Sequence, residues 1–233
     1  MRVADCNWME LERYLERDDR IVIPLGSVEQ HAHLSLAVDV ILSERVSVEA
    51  AEPLGVPVMP SLPYGITPYF GAYPGSPTLR VETYRALLRD VADSLAGQGF
   101  RRFLFVNGHG GNGPGREAVE AWSAARGGCR VRWHDWWTGE RVRAVVAEID
   151  PDAAHASWFE NFPWTRLAGI EQPADRKPMA DIAKLRELAP AAVRELLGDG
   201  SLGGLYERPD EDVLRVWQAG VEEVRALLEG GWR

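Results

Sequence analysis

The sequence has few cysteines, and this scarcity excludes a scaffold held together by several disulfides. Only Cys6 and Cys129 occur, far apart and in no spacing typical of a metal site. One disulfide between them is possible, but two unpaired, buried thiols in a reducing compartment are favoured. The N-terminus has no apolar core of a signal peptide, and no hydrophobic run approaches a membrane span. We therefore expect a cytoplasmic protein without a membrane partner.

An excess of positive charge is also missing. Lys and Arg number 26 against 35 Asp and Glu, which gives a formal net charge of -9. A nucleic-acid-binding protein needs a basic face to neutralise phosphates, so this balance argues against nucleic-acid partners. Hydrophobic and charged fractions of 45% and 26% exclude a disordered or fibrous chain. The length of 233 residues suits one α/β domain or two small ones.

Short apolar runs alternate with amphipathic segments over the first two thirds of the chain. Strands are predicted at residues 20–25, 56–59, 103–106 and 129–133. Helical spacing of apolar residues, or a proline in the first turn, predicts helices over residues 39–54, 81–95 and 114–126. Such alternation favours right-handed βαβ crossovers. The pattern predicts a three-layer αβα sandwich with a mainly parallel sheet.

The last third of the chain has a different pattern. It reads as mostly helical around residues 180–197 and 210–228, with a glycine-rich break at 198–204. No low-complexity linker separates it from the rest. We interpret it as packing on the same sheet, so residues 1–233 are predicted to form a single domain.

Candidate metal ligands follow two of the predicted strands. The turn after Leu25 contains Glu29, His31, His33 and Asp39, and the turn after Val106 reads Asn-Gly-His-Gly-Gly-Asn over residues 107–112. In open α/β sheets, ligands bind at the carboxyl ends of the strands. Imidazole and carboxylate are ligands for zinc and for manganese. Together the two turns predict a metal site at this edge of the sheet.

Each motif alone also has a purely structural interpretation. Asp39 could cap the helix that it begins, and the glycine-rich turn could be a tight connection with a solvated histidine. Their occurrence at the ends of two separate predicted strands makes chance a poor explanation. A third segment contains His155 and Glu160, five residues apart, and is weak when taken alone.

Together these motifs resemble the creatininase family of metal-dependent amidohydrolases. The matches come in the family's order and lie within residues 20–165. They are Gly26 to His31, His33-Leu34, Asp39, Tyr64-Gly65, Tyr73 to Ser76, Asn107 to Asn112, and His155-Ala156 with Glu160.

The resemblance implies a site for two divalent metal ions, which could be zinc, manganese or iron. Its implied ligands are Glu29, Asp39 and His109 for one ion, and His31, Asp39 and Glu160 for the other. Asp39 would bridge the two ions. Some members have a glutamate at the position of Gly111. In this chain Glu160 would supply the carboxylate ligand in its place.

The resemblance also implies a mechanism. A metal-bridging hydroxide would attack an amide carbonyl, and His155 would carry a proton to the leaving nitrogen. His33 lies in a loop one residue shorter than the family's, and we expect it, like Asn112, to support the ligands without binding metal. Other departures, such as Ser35 and Ser157, fall on the substrate side and favour a distinct substrate.

Tryptophans crowd the region between the fourth predicted strand and the third motif. We predict that Trp136, Trp137 and Trp158 line a pocket for a small cyclic or planar amide, together with Tyr73. Tyr73 belongs to a long loop rich in Pro, Gly and Tyr at residues 60–77, whose aromatics Tyr69 and Phe70 could join the same pocket. The alternative is ordinary core packing, or, for the loop aromatics, contact with a neighbouring subunit.

The sequence thus predicts an amidohydrolase that cleaves a linear or cyclic amide C–N bond of a small molecule. A peptidase that trims a modified precursor peptide, a non-catalytic metal-binding relative and a plain ligand-binding module remain alternatives. The resemblance implies a homo-oligomer, namely a hexamer.

Overall fold

A short parallel sheet forms the centre of the fold. The computed structural model describes residues 1–232, and its strands are β1 (Arg20–Leu25), β2 (Arg102–Asn107) and β3 (Arg130–Asp135), paired in the order β1-β2-β3. Leu25 lies opposite Asn107, which lies opposite Asp135. The three strands therefore end level with one another, and the turns that follow them meet at one edge.

Helices cover both faces of this sheet. Within residues 1–232 they are α1 (Trp8–Leu15), α2 (Val38–Ala51), α3 (Val81–Gln98), α4 (Gly113–Arg126), α5 (Glu140–Ile149), α6 (Ile182–Leu185), α7 (Pro190–Leu197) and α8 (Asp210–Glu229). Val22 and Leu104 pack towards α2, α5 and α8, whereas Ile21 and Phe103 pack towards α3 and α4. Alternate residues of a strand point to opposite faces, and the predicted three-layer sandwich is confirmed.

The predicted strand at 56–59 is wrong as a regular strand. Val58 forms only single bridges, with Val22 and Arg2, and Leu62 forms another with Leu25. Pro57 and Pro60 have no N–H group to donate to a ladder, which prevents continuous pairing. The segment runs beside β1 without joining the sheet as a full strand.

The segment at 180–197 is mostly helical, as predicted, but it is not one continuous helix. The segment forms two helices, α6 and α7, with Pro190 as the first residue of α7. The proline disfavours helical backbone at Ala189, whose φ and ψ are -66° and 149°.

Two of the helices, α1 and α5, were not predicted from the sequence. The first begins with a capping box between Asn7 and Glu10, a signal that the sequence does contain.

The two cysteines do not pair with each other. Both are free thiols, as predicted, but only Cys129 is buried, while Cys6 is partly exposed. None of the helices in residues 1–232 combines the length and apolar character needed to cross a bilayer.

Candidate metal centre

The loop between β1 and α2 turns Glu29 and His31 inwards. The N–H of Glu29 donates to the carbonyl of Leu36 at 2.9 Å, which closes the loop on itself. Ala32 has a φ of 49°, and its N–H donates to Oε1 of Gln30 at 3.1 Å. The tight turn leaves both Glu29 and His31 almost fully buried. Asp39 follows in the first turn of α2 and is only 3% exposed.

The turn after β2 presents His109 to the same place. The side-chain oxygen of Asn107 accepts from the N–H of His109 at 3.2 Å, and its amide nitrogen donates to the carbonyl of His109 at 2.7 Å. Asn112 in turn donates to the side chain of Asn107 at 3.0 Å. A Cβ on Gly108 would lie 2.6 Å from the carbonyl oxygen of Asp39, so glycine allows the two turns to touch. Asn112 therefore braces the turn that carries His109.

The third segment brings His155 and Glu160 to the cluster. Ala156 has a φ of 57°, and its N–H donates to Oε2 of Glu160 at 2.6 Å. The hydroxyl of Ser157 accepts from the N–H of Ala154 at 2.9 Å and stands at the start of the short helical turn Trp158–Glu160. These local contacts fold the segment into a hairpin-like turn whose histidine and glutamate share one side.

Asp39 stands between two groups of potential ligands. Its Oδ2 lies 3.0 Å from Nδ1 of His109, and that nitrogen lies 3.2 Å from Oε1 of Glu29. Its Oδ1 lies 3.0 Å from Nε2 of His31, and that nitrogen lies 3.7 Å from Oε2 of Glu160. In each group of three, the ligand atoms lie within 4.8 Å of one another. One carboxylate thus faces two adjoining sites.

Backbone carbonyls set the tautomers of both histidines. Nε2 of His109 donates to the carbonyl of Ile66 at 3.0 Å, and Nδ1 of His31 donates to the carbonyl of Glu29 at 3.1 Å. The other nitrogen of each neutral ring then turns a lone pair towards Asp39. A lone pair and a carboxylate oxygen at this distance repel each other unless a proton or a metal cation lies between them.

Two unpaired carboxylate oxygens also indicate that the cluster binds a cation. Oε2 of Glu29 and Oδ2 of Asp39 are buried, and neither accepts a hydrogen bond within residues 1–232. Buried polar atoms are normally paired, so two such oxygens in one cluster call for a partner. The mixture of imidazole and carboxylate fits divalent zinc, manganese or iron.

The charges of the cluster shift the pKa of several of its members. Burial disfavours the charged form of His31, but Asp39 and Glu160 outweigh this and raise its pKa to about 10. Burial, with the charge of Asp39 adding to it, raises the pKa of Glu160 to about 7 despite the opposing charge of His31. A cluster without metal would therefore hold protons, and a divalent cation competes with them for the same atoms.

His155 stands beside both groups. Its Nε2 donates to the carbonyl of Gln30 at 2.8 Å, while Nδ1 lies 3.6 Å from Oε1 of Glu29 and 4.0 Å from Oε2 of Glu160. Burial, and then the charge of His31, lower its pKa to about 4. The imidazole is therefore neutral at physiological pH, with an acceptor nitrogen turned towards the ligands. His155 also forms a third group of potential metal ligands, with Glu29 and His31.

A cavity of about 400 Å³ opens over the cluster. Of the predicted aromatic walls, Trp137 lines it. Trp136 and Trp158 are wrong as wall residues, since they are 1% and 0% exposed and pack in the hydrophobic core. Tyr73 is also wrong, because it packs in a small apolar cluster beside Phe70, which does line the cavity. In each case burial of the ring in an apolar cluster removes its surface from water, which favours packing over a place in the cavity wall.

Other site residues depart from the sequence prediction or were missed by it. Nε2 of His33 lies 3.5 Å from Oδ2 of Asp199, so His33 ties its loop to the C-terminal third and does not contact the ligand groups. Gln30, missed although it stands between two ligands, donates to the carbonyl of Gly200 at 3.0 Å and contacts His155. Tyr69, one of the loop aromatics considered for the pocket, lines the cavity, and so does Arg186, which no local sequence signal marks.

Replacing Gly111 by alanine is expected to damage the metal centre. A Cβ at this position would lie 1.8 Å from the carbonyl oxygen of Ile66 and 2.6 Å from Nε2 of His109. The backbone would have to move, at a cost of about 1–3 kcal/mol, and His109 would lose its orienting carbonyl. Metal analysis and thermal unfolding should both show the loss.

Gly110→Ala is the matched control for this substitution. Apart from its chain neighbours, no heavy atom of residues 1–232 lies within 4 Å of a Cβ at position 110, so this variant should keep its metal and its stability. Equal metal content in the two variants would contradict the role given to the contact between Ile66 and His109. The same crowding excludes a glutamate at position 111 in this backbone.

Comparison with known proteins identifies relatives. The family model for creatininase, described as creatinine amidohydrolase, matches residues 4–221. The creatinine amidohydrolase of Pseudomonas putida is 34% identical over 114 residues, which cover 46% of this chain and 44% of that protein. The mycofactocin precursor peptide peptidase of Mycolicibacterium smegmatis is 32% identical over 196 residues, covering 77% of this chain and 74% of that protein. The match to the Pseudomonas putida protein thus spans less than half of that protein's length.

Solved structures agree in fold. A creatininase in its Mn form superposes with a TM-score of 0.77 at 23% identity, covering 98% of this chain and 97% of that one. A creatininase variant of Zn-Zn type gives a TM-score of 0.77 at 24% identity, covering 98% and 96%. The likeness extends over nearly the whole chain, including its C-terminal third.

Proposed function

The chain belongs to the creatininase family of hydrolases, and on this basis we propose that it is a metal-dependent amidohydrolase that cleaves an amide C–N bond of a small molecule. The observation that carries the proposal is the placement of Asp39, whose two oxygens face two separate groups of histidine and carboxylate. Such a carboxylate is suited to bridging two cations.

Two sets of residues would hold the metal ions. Glu29, Asp39 and His109 would hold one, and His31, Asp39 and Glu160 would hold the other. When bound, two divalent cations make water a stronger nucleophile at neutral pH and polarise the amide carbonyl. The zinc and manganese forms of the similar creatininase structures support these two metals, and the ligand set also accepts ferrous iron.

The chain itself supplies proton transfer and exclusion of water. His155 has a free Nδ1 that faces the carboxylates of Glu29 and Glu160, so it can accept the proton that the attacking water loses and donate it to the leaving nitrogen. The hydrogen bond from its Nε2 to the carbonyl of Gln30 keeps Nδ1 turned inwards. Phe70 stacks on the imidazole, with ring centroids 4.9 Å apart, and shields it from solvent.

The size of the cavity favours a small substrate. Its volume of about 400 Å³ falls at the lower end of the range for small-molecule sites. A peptide is the second candidate, because a precursor peptide peptidase is the relative that matches 77% of this chain. In that case, only the residues next to the scissile bond would enter the cavity.

Metal analysis and a substrate screen test the proposal together. We expect close to two equivalents of metal per chain, and hydrolysis of at least one compound among creatinine, small lactams, formamides and short peptides. Less than about half an equivalent of metal would rule out the dinuclear centre. Full metal content without turnover of any amide or peptide would favour a non-catalytic metal-binding role.

Glu160→Gln is expected to halve the metal content. The change removes a carboxylate from the group with His31 and leaves the group of Glu29, Asp39 and His109 intact. Purified variant protein should hold about one equivalent, because one group keeps its full set of ligands while the other loses one of its two carboxylates. Elemental analysis of parent and variant prepared in parallel measures this.

Glu49→Gln provides the control for that variant. Glu49 is another partly buried glutamate, on α2, and it accepts a hydrogen bond from the indole of Trp217 at 2.8 Å, away from the ligand groups. It should keep both metal ions. Two equivalents in Glu160→Gln would exclude Glu160 as a ligand.

We also propose that the protein acts in the cytoplasm as a homo-oligomer, a hexamer by family resemblance. The free thiols of Cys6 and Cys129 support a reducing compartment. The negative net charge supports a function without nucleic acid. Sedimentation of the metal-loaded protein would measure the number of subunits, and a monomer would contradict the proposal.

A further inference from the structure

The cavity has one positively charged wall residue that the metal centre does not use. Outside the ligand groups and His155, most of its described walls are apolar, and they include Phe70, Trp137, Phe159, Ile182, Leu185 and Leu202. Arg186, at the end of α6, is the exception. Arg186 is exposed, and a guanidinium that borders an apolar cavity is a candidate for binding one polar group of a bound molecule.

Arg186 differs from nearby arginines in its lack of a protein partner. Arg194 donates to the carbonyl of Ala72 at 2.9 Å and Arg176 pairs with Asp150 at 2.5 Å, whereas the Arg186 guanidinium has no hydrogen bond or ion pair within residues 1–232. A guanidinium presents a planar fork of donors that matches a carboxylate. Its donors are free to bind such a group.

Tyr69 links Arg186 to the metal centre. Its side chain lines the same cavity as Glu29, Asp39, His109 and Arg186. Burial raises the pKa of Tyr69 most, and the charges of these four residues also act on it. The ligand groups and the guanidinium therefore border one shared space. One small molecule can reach both.

We infer that the substrate is an amide that carries a free carboxylate, bound by Arg186, with an apolar side chain between that carboxylate and the scissile bond. This inference rests on the proposed function, since the metal centre positions the amide. The apolar walls accept the side chain, and Arg186 sets the orientation by holding the opposite end. Amides derived from amino acids have this combination of groups.

A pair of matched inhibitors tests the inference by binding, without reliance on turnover. One compound is 2-benzylsuccinic acid monohydroxamate, which offers a hydroxamate to the metals, a benzyl group to the apolar walls and a free carboxylate. The other has a primary amide in place of that carboxylate. Titration calorimetry on the metal-loaded parent should give at least about tenfold tighter binding of the acid, because hydrogen bonds to charged groups are the stronger ones.

Arg186→Met and Lys184→Met are the variants to compare. Both remove one positive charge from the same short segment, but Lys184 does not line the cavity. The preference for the acid should disappear in Arg186→Met and persist in Lys184→Met, while binding of the amide compound stays unchanged in both.

An equal preference for the acid in both variants would overturn the inference, as would a parent protein that binds the two compounds equally or binds neither. None of these results affects the metal content of the parent, on which the proposed function depends. Failure of the inference and failure of the proposed function are thus distinguished.

Discussion

Asp39→Asn is expected to abolish metal binding at both groups and to lower any amide hydrolysis by about three orders of magnitude or more. Each carboxylate oxygen of Asp39 lies 3.0 Å from a histidine nitrogen of a different group. The amide of asparagine has no charge and keeps only one acceptor oxygen. Neither pair of remaining ligands, Glu29 with His109 or His31 with Glu160, would then form a complete site.

Metal content and thermal stability measure this effect without a known substrate. The parent should hold close to two equivalents, and added metal should raise its unfolding temperature, because a ligand at about 100 times its Kd stabilises the folded state by about 2.7 kcal/mol. The variant should hold less than about half an equivalent and show no such rise.

Asp150→Asn separates the loss of metal from the loss of any buried carboxylate. Asp150 is also buried, and it pairs with Arg176 at 2.5 Å and Arg208 at 3.8 Å, outside the ligand groups. We expect that variant to be less stable but fully loaded. Metal content near two equivalents in Asp39→Asn would rule out the bridging role.

The sheet could be predicted because its signals are local. Strand β1 occupies residues 20–25 as expected, since a short apolar run bounded by charged and glycine residues suits a strand buried on both faces. The segment at 56–59 is equally apolar but fails as a strand. Its prolines interrupt pairing, which becomes visible only when the hydrogen-bond partners are known.

The ligand groups could be predicted for a related reason. Parallel strands bring their carboxyl ends to one edge of the sheet. The side chains just after Leu25 and Val106 could therefore be expected to lie close together. The direction of a large side chain is not encoded locally in this way. Trp136 and Trp137 are neighbours in sequence, yet one is buried in the core and the other lines the cavity.

Arg186 shows a second limit of prediction from the sequence. It reaches the cavity because α6, α7 and the loop around Phe70 pack together, through contacts of Leu185, Val193 and Leu197. Those contacts join segments more than a hundred residues apart. No spacing within the C-terminal third indicates that this arginine, and not Lys184, lines the cavity.

His155→Gln is expected to lower the rate of hydrolysis by about 10²–10⁴-fold while leaving the metal content close to that of the parent. Glutamine can still donate to the carbonyl of Gln30, as Nε2 of the imidazole does, but it cannot accept and release a proton. Burial, and in the metal-free cluster the charge of His31, lower the pKa of His155 to about 4, so the imidazole is uncharged across the neutral pH range and its Nδ1 is free of a proton.

The metal content of this variant also decides between two roles for His155. Nδ1 lies near Glu29 and belongs to a third group with His31, so a histidine that binds metal would take an equivalent of metal with it when replaced. Retained metal with a slowed reaction supports proton transfer instead. The control is His33→Gln, since His33 pairs with Asp199 away from the ligands and should leave both quantities nearly unchanged. Unaltered turnover in His155→Gln would show that the proton travels by another route.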